Sequence, residues 1–114
     1  MHEASIALSI LDIAKKQCEE AGYSTIQSIV VDIGGASGIL PDALLMAFDI
    51  VKLDTPAHDA TLVINEIPIG GRCDDCSRDF TTDDSFVLTC PHCGGREFKL
   101  TTGRELDIKE IEVD

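Results

Sequence analysis

The sequence contains no apolar run approaching the ~20 residues a membrane span requires. Its start has neither a basic region nor a cleavable apolar segment. Neither a membrane role nor secretion is expected, and the chain is read as cytoplasmic. Basic residues are scarce: 9 Lys and Arg stand against 21 Asp and Glu, giving a formal charge of −12. A field of that sign repels nucleic acid and anionic lipid and favours cations or basic protein surfaces. No HExxH stretch, phosphate loop or nucleophile elbow is present, and the three histidines lie far apart in the chain. Hydrolytic chemistry has little to stand on, and an enzyme is not expected. Repeats and low-complexity tracts are absent too.

What is present is periodic. Ala7, Ile10, Leu11, Ala14, Cys18 and Ala21 mark one face of a helix over residues 4–21. Gly22 sits where a left-handed C-cap belongs. Cys18 lies on that stripe and reads as a small buried hydrophobe. Ile29, Val30, Val31 and Ile33, closed by Gly34 and Gly35, read as a largely buried strand. Pro41 suits a first helical position and Asp42 the positive end of the helix dipole. A second helix is therefore expected, burying Leu44, Leu45, Phe48 and Val51 and stopping by Thr55-Pro56. Residues 60–69, "ATLVINEIPI", read as a second strand with Pro68 near its end. "RELDIKEIEVD" alternates through Leu106 and Ile108, then slips by one residue to Ile111 and Val113, as a bulged strand would.

The expected fold class is α+β: two helices on a small, about three-stranded sheet, with an inserted zinc-ribbon-like module. The helices and sheet would come from residues 1–70 and 101–114, and the module from 71–100.

That module carries four of the five cysteines. "CDDC" and "CPHC" are two Cys-x-x-Cys turns with thirteen residues between them, holding Cys73, Cys76, Cys90 and Cys93. Each turn brings two thiolates to one ion, with backbone amides free to hydrogen-bond the sulfurs, and two turns close a tetrahedral shell. A closed shell leaves no position for a substrate, so the expected ion is a structural Zn(II). The spacing and the odd cysteine count point away from disulfides. The Cys-Pro-x-Cys-Gly half also looks like a rubredoxin knuckle, so an iron tetrathiolate that carries electrons is an alternative, and a zinc-ribbon adaptor is another. His92, inside the second turn, reads as a solvated residue once four thiolates fill the shell.

The opening "MHE" poses a second metal question. With Met1 retained, its terminal amine, the backbone nitrogen of His2 and the ring Nδ1 can chelate one ion through a five- and a six-membered ring. Deprotonating the amide demands a square-planar preference, which Ni(II) and Cu(II) have and Mg(II) and Ca(II) lack. Glu3 is a ligand, a partner orienting the imidazole, or a first-turn acid on the helix dipole. The residues alone also allow a plain polar terminus.

Together, "MHE", "VVDIGGASGILPDAL" with "AFDIV" after it, "CDDC…CPHCGG" and "GRELDIKEIEV" span nearly the whole chain. In this combination they resemble the HypA/HybF family of hydrogenase nickel-incorporation proteins. The resemblance implies a nickel metallochaperone that helps deliver Ni(II) to the large subunit of [NiFe] hydrogenase beside a HypB-type GTPase. It implies His2 as the nickel-binding histidine, Glu3 as its supporting acid, and Cys73, Cys76, Cys90 and Cys93 as zinc ligands. Some members complete the nickel shell with an acid from the loop after the first strand or with a zinc-module histidine. Here the matching loop position is Leu40 and the nearest acid Asp42, so a fourth ligand stays unassigned. Self-association into a homodimer is left open.

Overall fold

A computed structural model describes residues 3–114 as α1 (Glu3–Glu20), β1 (Ile26–Gly34), α2 (Pro41–Val51), β2 (Thr61–Ile67), β3 (Ile69–Cys73), β4 (Asp79–Thr82), β5 (Phe98–Thr102) and β6 (Leu106–Val113). The expected chelate at Met1 and His2 lies outside the described residues. The architecture is α+β. Its two three-stranded sheets are ordered β2-β1-β6 and β4-β3-β5. The chain forms two compact units. One holds residues up to Asp32, Ile39–Asn65 and Asp107–Asp114; the other holds Ile33–Gly38 and Glu66–Leu106. Residues 71–100 lie within the second unit, which also takes in 33–38, 66–70 and 101–106.

In the first unit, α1 buries Ile6, Ala7, Ile10, Leu11, Ala14 and Cys18 and packs against α2. Its C-terminus closes as a Schellman turn. Tyr23 N–H donates to Cys18 O and Gly22 N–H to Glu19 O, both at 3.0 Å, while Gly22 takes φ +83°. α2 opens at Pro41 behind an N-cap Leu40 that has no side-chain acceptor. Proline at the first helical position removes one of the four N–H groups that have no acceptor within the helix. Leu44 and Phe48 are buried as expected, whereas Leu45 and Val51 are half-buried.

The chain beside β1 on one side advances with it: Ile26 N–H donates to Pro56 O at 3.0 Å, and Asn65 Nδ2 to Asp32 Oδ1 at 3.1 Å. β2 is therefore parallel to β1, with α2 in the crossover. On the other side Thr25 and Asp114 exchange both backbone hydrogen bonds, at 3.1 and 2.9 Å, as antiparallel partners do. Along β6 the half-buried positions are Ile108, Ile111 and Val113, so burial keeps the one-residue slip read in the sequence.

The second unit departs from the sequence reading. The run 60–69 is two strands, not one: β2 ends at Ile67 and β3 begins at Ile69 in the other sheet. Pro68, with no N–H to give a ladder, stands at the break. β3 is the centre of an antiparallel sheet, pairing Gly71 with Phe80 on β4 and with Leu100 on β5. A Cβ on Gly71 would lie 2.7 Å from Phe80 Cζ and 2.7 Å from Lys99 O, so the glycine lets the ring lie against β3.

Candidate metal centre

The first Cys-x-x-Cys turn joins β3 to β4, and the second lies between β4 and β5. The two turns share one design. Cys73 N–H donates to Arg78 O at 2.9 Å, and Cys90 N–H donates to Gly95 O at 2.8 Å. In each, the residue after the second cysteine is left-handed: Ser77 at φ +58° and Gly94 at φ +74°. Each turn thus presents two sulfurs on the same side of a tight loop.

The four Sγ atoms all lie within 4.8 Å of one another. Across the turns Cys73 and Cys93 approach to 3.6 Å, and Cys76 and Cys90 to 3.8 Å. A tetrahedron with metal–sulfur bonds of ~2.3 Å has edges of about 3.8 Å, so the spacing fits one ion held by four sulfurs. All five cysteines are free thiols. Among the described residues no other group of three or more His, Cys, Asp or Glu side chains is gathered tightly enough to hold an ion.

The surroundings suit thiolates. Cys73 and Cys90 are buried with Phe80, while Cys76, Val87, Phe98 and Leu100 pack around them. Phe80 and Phe98 meet edge to face at 5.6 Å. Backbone amides point at sulfur, among them His92 N–H at Cys90 Sγ and Gly95 N–H at Cys93 Sγ, each at 3.4 Å. Burial would raise the Cys90 thiol, but the backbone amides of Cys93 and His92 and the Cys73 and Cys76 side chains outweigh it, bringing the thiol down to about 7. The Gly95 amide works to lower Cys93. Cys73, burial, Cys76 and Cys90 together prevail and push it up to about 12. Cys76 is also raised, mainly by burial. Cys90 thus gives up its proton more readily than Cys93 or Cys76, as expected when thiols crowd close enough to share charge.

The other residues picked out in the sequence are dispersed. Cys18 is buried on α1, its thiol 3.7 Å from Thr25 O. His92 is exposed, with Nε2 3.2 Å from Asp79 O. Glu3 and Asp42 are first-turn acids of α1 and α2, and Leu40 is an exposed N-cap. Ser77, Gly71 and Phe80 shape the centre without standing out as site residues in the sequence. Only the glycine pair, and the equal offset of Ser77 and Gly94 from their cysteines, signalled them.

These features define an α+β protein whose second unit carries a four-cysteine cluster arranged to hold a metal ion. The family described as "Hydrogenase/urease nickel incorporation, metallochaperone, hypA" matches residues 1–113. The chain is 37% identical to the hydrogenase maturation factor HypA of Chloroflexus aggregans over 113 residues, covering 99% of each chain. It is 36% identical to that of Geobacter metallireducens over 114 residues, covering both completely. Its fold is similar to the solution structure of the Ni metallochaperone HypA from Helicobacter pylori, with a TM-score of 0.69, 24% identity and coverage of 99% and 97%. A second HypA solution structure gives a TM-score of 0.70 at 25% identity, covering 99% and 96%. The chain belongs to the HypA family of nickel-incorporation metallochaperones.

Proposed function

We propose that this protein is a nickel carrier and not a catalyst. It takes one Ni(II) at its amino terminus and delivers it during maturation of [NiFe] hydrogenase. The observation that carries this reading is the family match, which begins at residue 1 and so includes "MHE". The donors are the Met1 amine, the backbone nitrogen of His2 and its Nδ1, which suit a square-planar ion. Glu3 opens α1 and supports the site from beside His2. Three nitrogens leave an in-plane position for a receiving protein, and ligand exchange at a chain end empties the site.

Cys73, Cys76, Cys90 and Cys93 hold a Zn(II) that braces residues 71–100 as a zinc-binding module, while residues 1–70 and 101–114 form the nickel-binding part. The zinc supplies cross-linking and no chemistry, because four sulfurs complete its shell. The carrier works in the cytoplasm with a HypB-type GTPase and the hydrogenase large subunit, and its charge of −12 favours cations and basic surfaces on such partners.

The test is a calorimetric titration of Ni(II) into the zinc-loaded, untagged chain beside His2→Ala. About one Ni(II) per chain is expected for the parent and none of comparable affinity for the variant. Equal nickel binding by His2→Ala with its zinc intact removes the assignment. Sedimentation of the same samples reads whether the carrier is a monomer or a homodimer.

A further inference from the structure

α2 turns Leu44 and Phe48 inward and packs on α1, yet its opposite side is also apolar. Met46 and Ile50 are 68% and 66% exposed, and Leu53, just past the C-cap, is 61% exposed. Lys52 keeps helical angles of φ −74° and ψ −15°, so the three side chains continue one stripe at i, i+4 and i+7. Single exposed apolar residues are ordinary, but a row of large ones on one helix face marks a surface that meets something other than water.

The charges around the stripe say what it meets. Asp42 and Asp49 lie four residues before and three after Met46, and Asp54 follows Leu53. Lys52 is the one Lys or Arg in Ile39–Asn65, and it is engaged: its Nζ lies 3.3 Å from Asp49 Oδ1 and donates to Ala60 O at 2.9 Å. The first unit carries thirteen acids and four bases, a net of −9, whereas the second carries eight and five, a net of −3. Two copies placed stripe to stripe would set these aspartates against each other, which disfavours a second copy of the chain as occupant.

We propose that the Met46–Ile50–Leu53 stripe docks an amphipathic helix of a partner protein, with apolar residues at matching spacing and Lys or Arg on its flanks. The i, i+4, i+7 ridge is the pattern a second helix packs against, and Met46 adapts its shape to what it covers. This docking is independent of where nickel binds.

The experiment titrates the isotope-labelled full chain with three synthetic peptides. The first has leucines at i, i+4 and i+7 flanked by lysines, the second rearranges the same residues to alternate, and the third replaces lysine by glutamate. Saturable binding of the first alone is expected, with NMR shifts centred on Met46, Ile50 and Leu53 and affinity falling as salt rises. Met46→Ser with Ile50→Ser should weaken it at least about tenfold, with the circular dichroism of the parent retained. Equal binding of the alternating peptide, shifts centred instead on the exposed Phe86 and Leu88, or an unaffected double variant overturns the proposal. So does self-association that the double variant abolishes, which would make a second copy the occupant.

Discussion

Ser77 and Gly94 occupy the same place in the two cysteine turns, each directly after the second cysteine and each with positive φ, +58° and +74°. One position has the residue suited to that conformation and the other does not. The left-handed region costs a non-glycine residue roughly 1–2 kcal/mol, part of which glycine gives back as greater freedom when unfolded. Ser77→Gly should therefore raise the stability of the zinc-loaded chain by up to about 1 kcal/mol. A Cβ on Gly94 meets nothing within 4 Å, so Gly94→Ala should cost about 1 kcal/mol through the backbone alone. Thermal melts of the two variants beside the parent read both signs.

Removing the proposed zinc should release the strands that it braces. A strong zinc chelator is expected to abolish amide-exchange protection in β3, β4 and β5 and to loosen the Phe80–Phe98 pair. Protection that survives complete loss of the metal would mean that the apolar cluster holds these strands without it.

Filling the centre should also move protons. In the metal-free chain the Cys90 thiol titrates near 7, and Cys93 is pushed up to about 12. Near neutral pH, most of the thiol protons must leave as the ion enters. Zinc uptake should thus release roughly three protons per ion, read from calorimetry in buffers of different ionisation enthalpy. Falling pH adds protons to displace, so affinity should drop steadily on acidification.

Two neighbouring glycines should respond differently. A Cβ on Gly34 would lie 2.1 Å from the Gly103 carbonyl carbon and oxygen, backbone atoms that cannot swing aside. At Gly35 the nearest atom is Ile69 Cγ1 at 3.5 Å, an ordinary contact. Gly34→Ala should destabilise the chain by about 3 kcal/mol or more, and Gly35→Ala by less than about 1 kcal/mol. Urea unfolding of both variants checks the contrast.

Gly34 and Gly35 also mark where the sequence stopped being readable. Both announced the end of β1, but nothing in the string says that Gly103 crosses Gly34, because that approach joins residues far apart in the chain. The helices were legible because their signals are local: a 3.6-residue apolar period, Pro41 at the start of α2, Gly22 at the end of α1. The cysteine quartet was legible for the same reason, since each half is a short turn. The second sheet was not. β3 and β4 have five and four residues, and β3 contains Gly70 and Gly71, which have low strand propensity. Their order comes from the turns at their ends and from Phe80 lying against Gly71, so the alternation that betrays a strand is missing. Pro68 reads as a strand end, but the new strand on its far side gives no sign of its own.

The proposed nickel carrier stands or falls on its amino end. The decisive measurement is a nickel titration of the zinc-loaded chain with its first amine free and with that amine acetylated, His2 being present in both. Acetylation turns one of the three proposed nitrogen donors into a non-basic amide and leaves the four sulfurs untouched, so on this proposal the uptake of about one Ni(II) per chain should vanish while the zinc content stays constant. Undiminished nickel uptake by the acetylated chain, or nickel displacing zinc from the four cysteines, would contradict it.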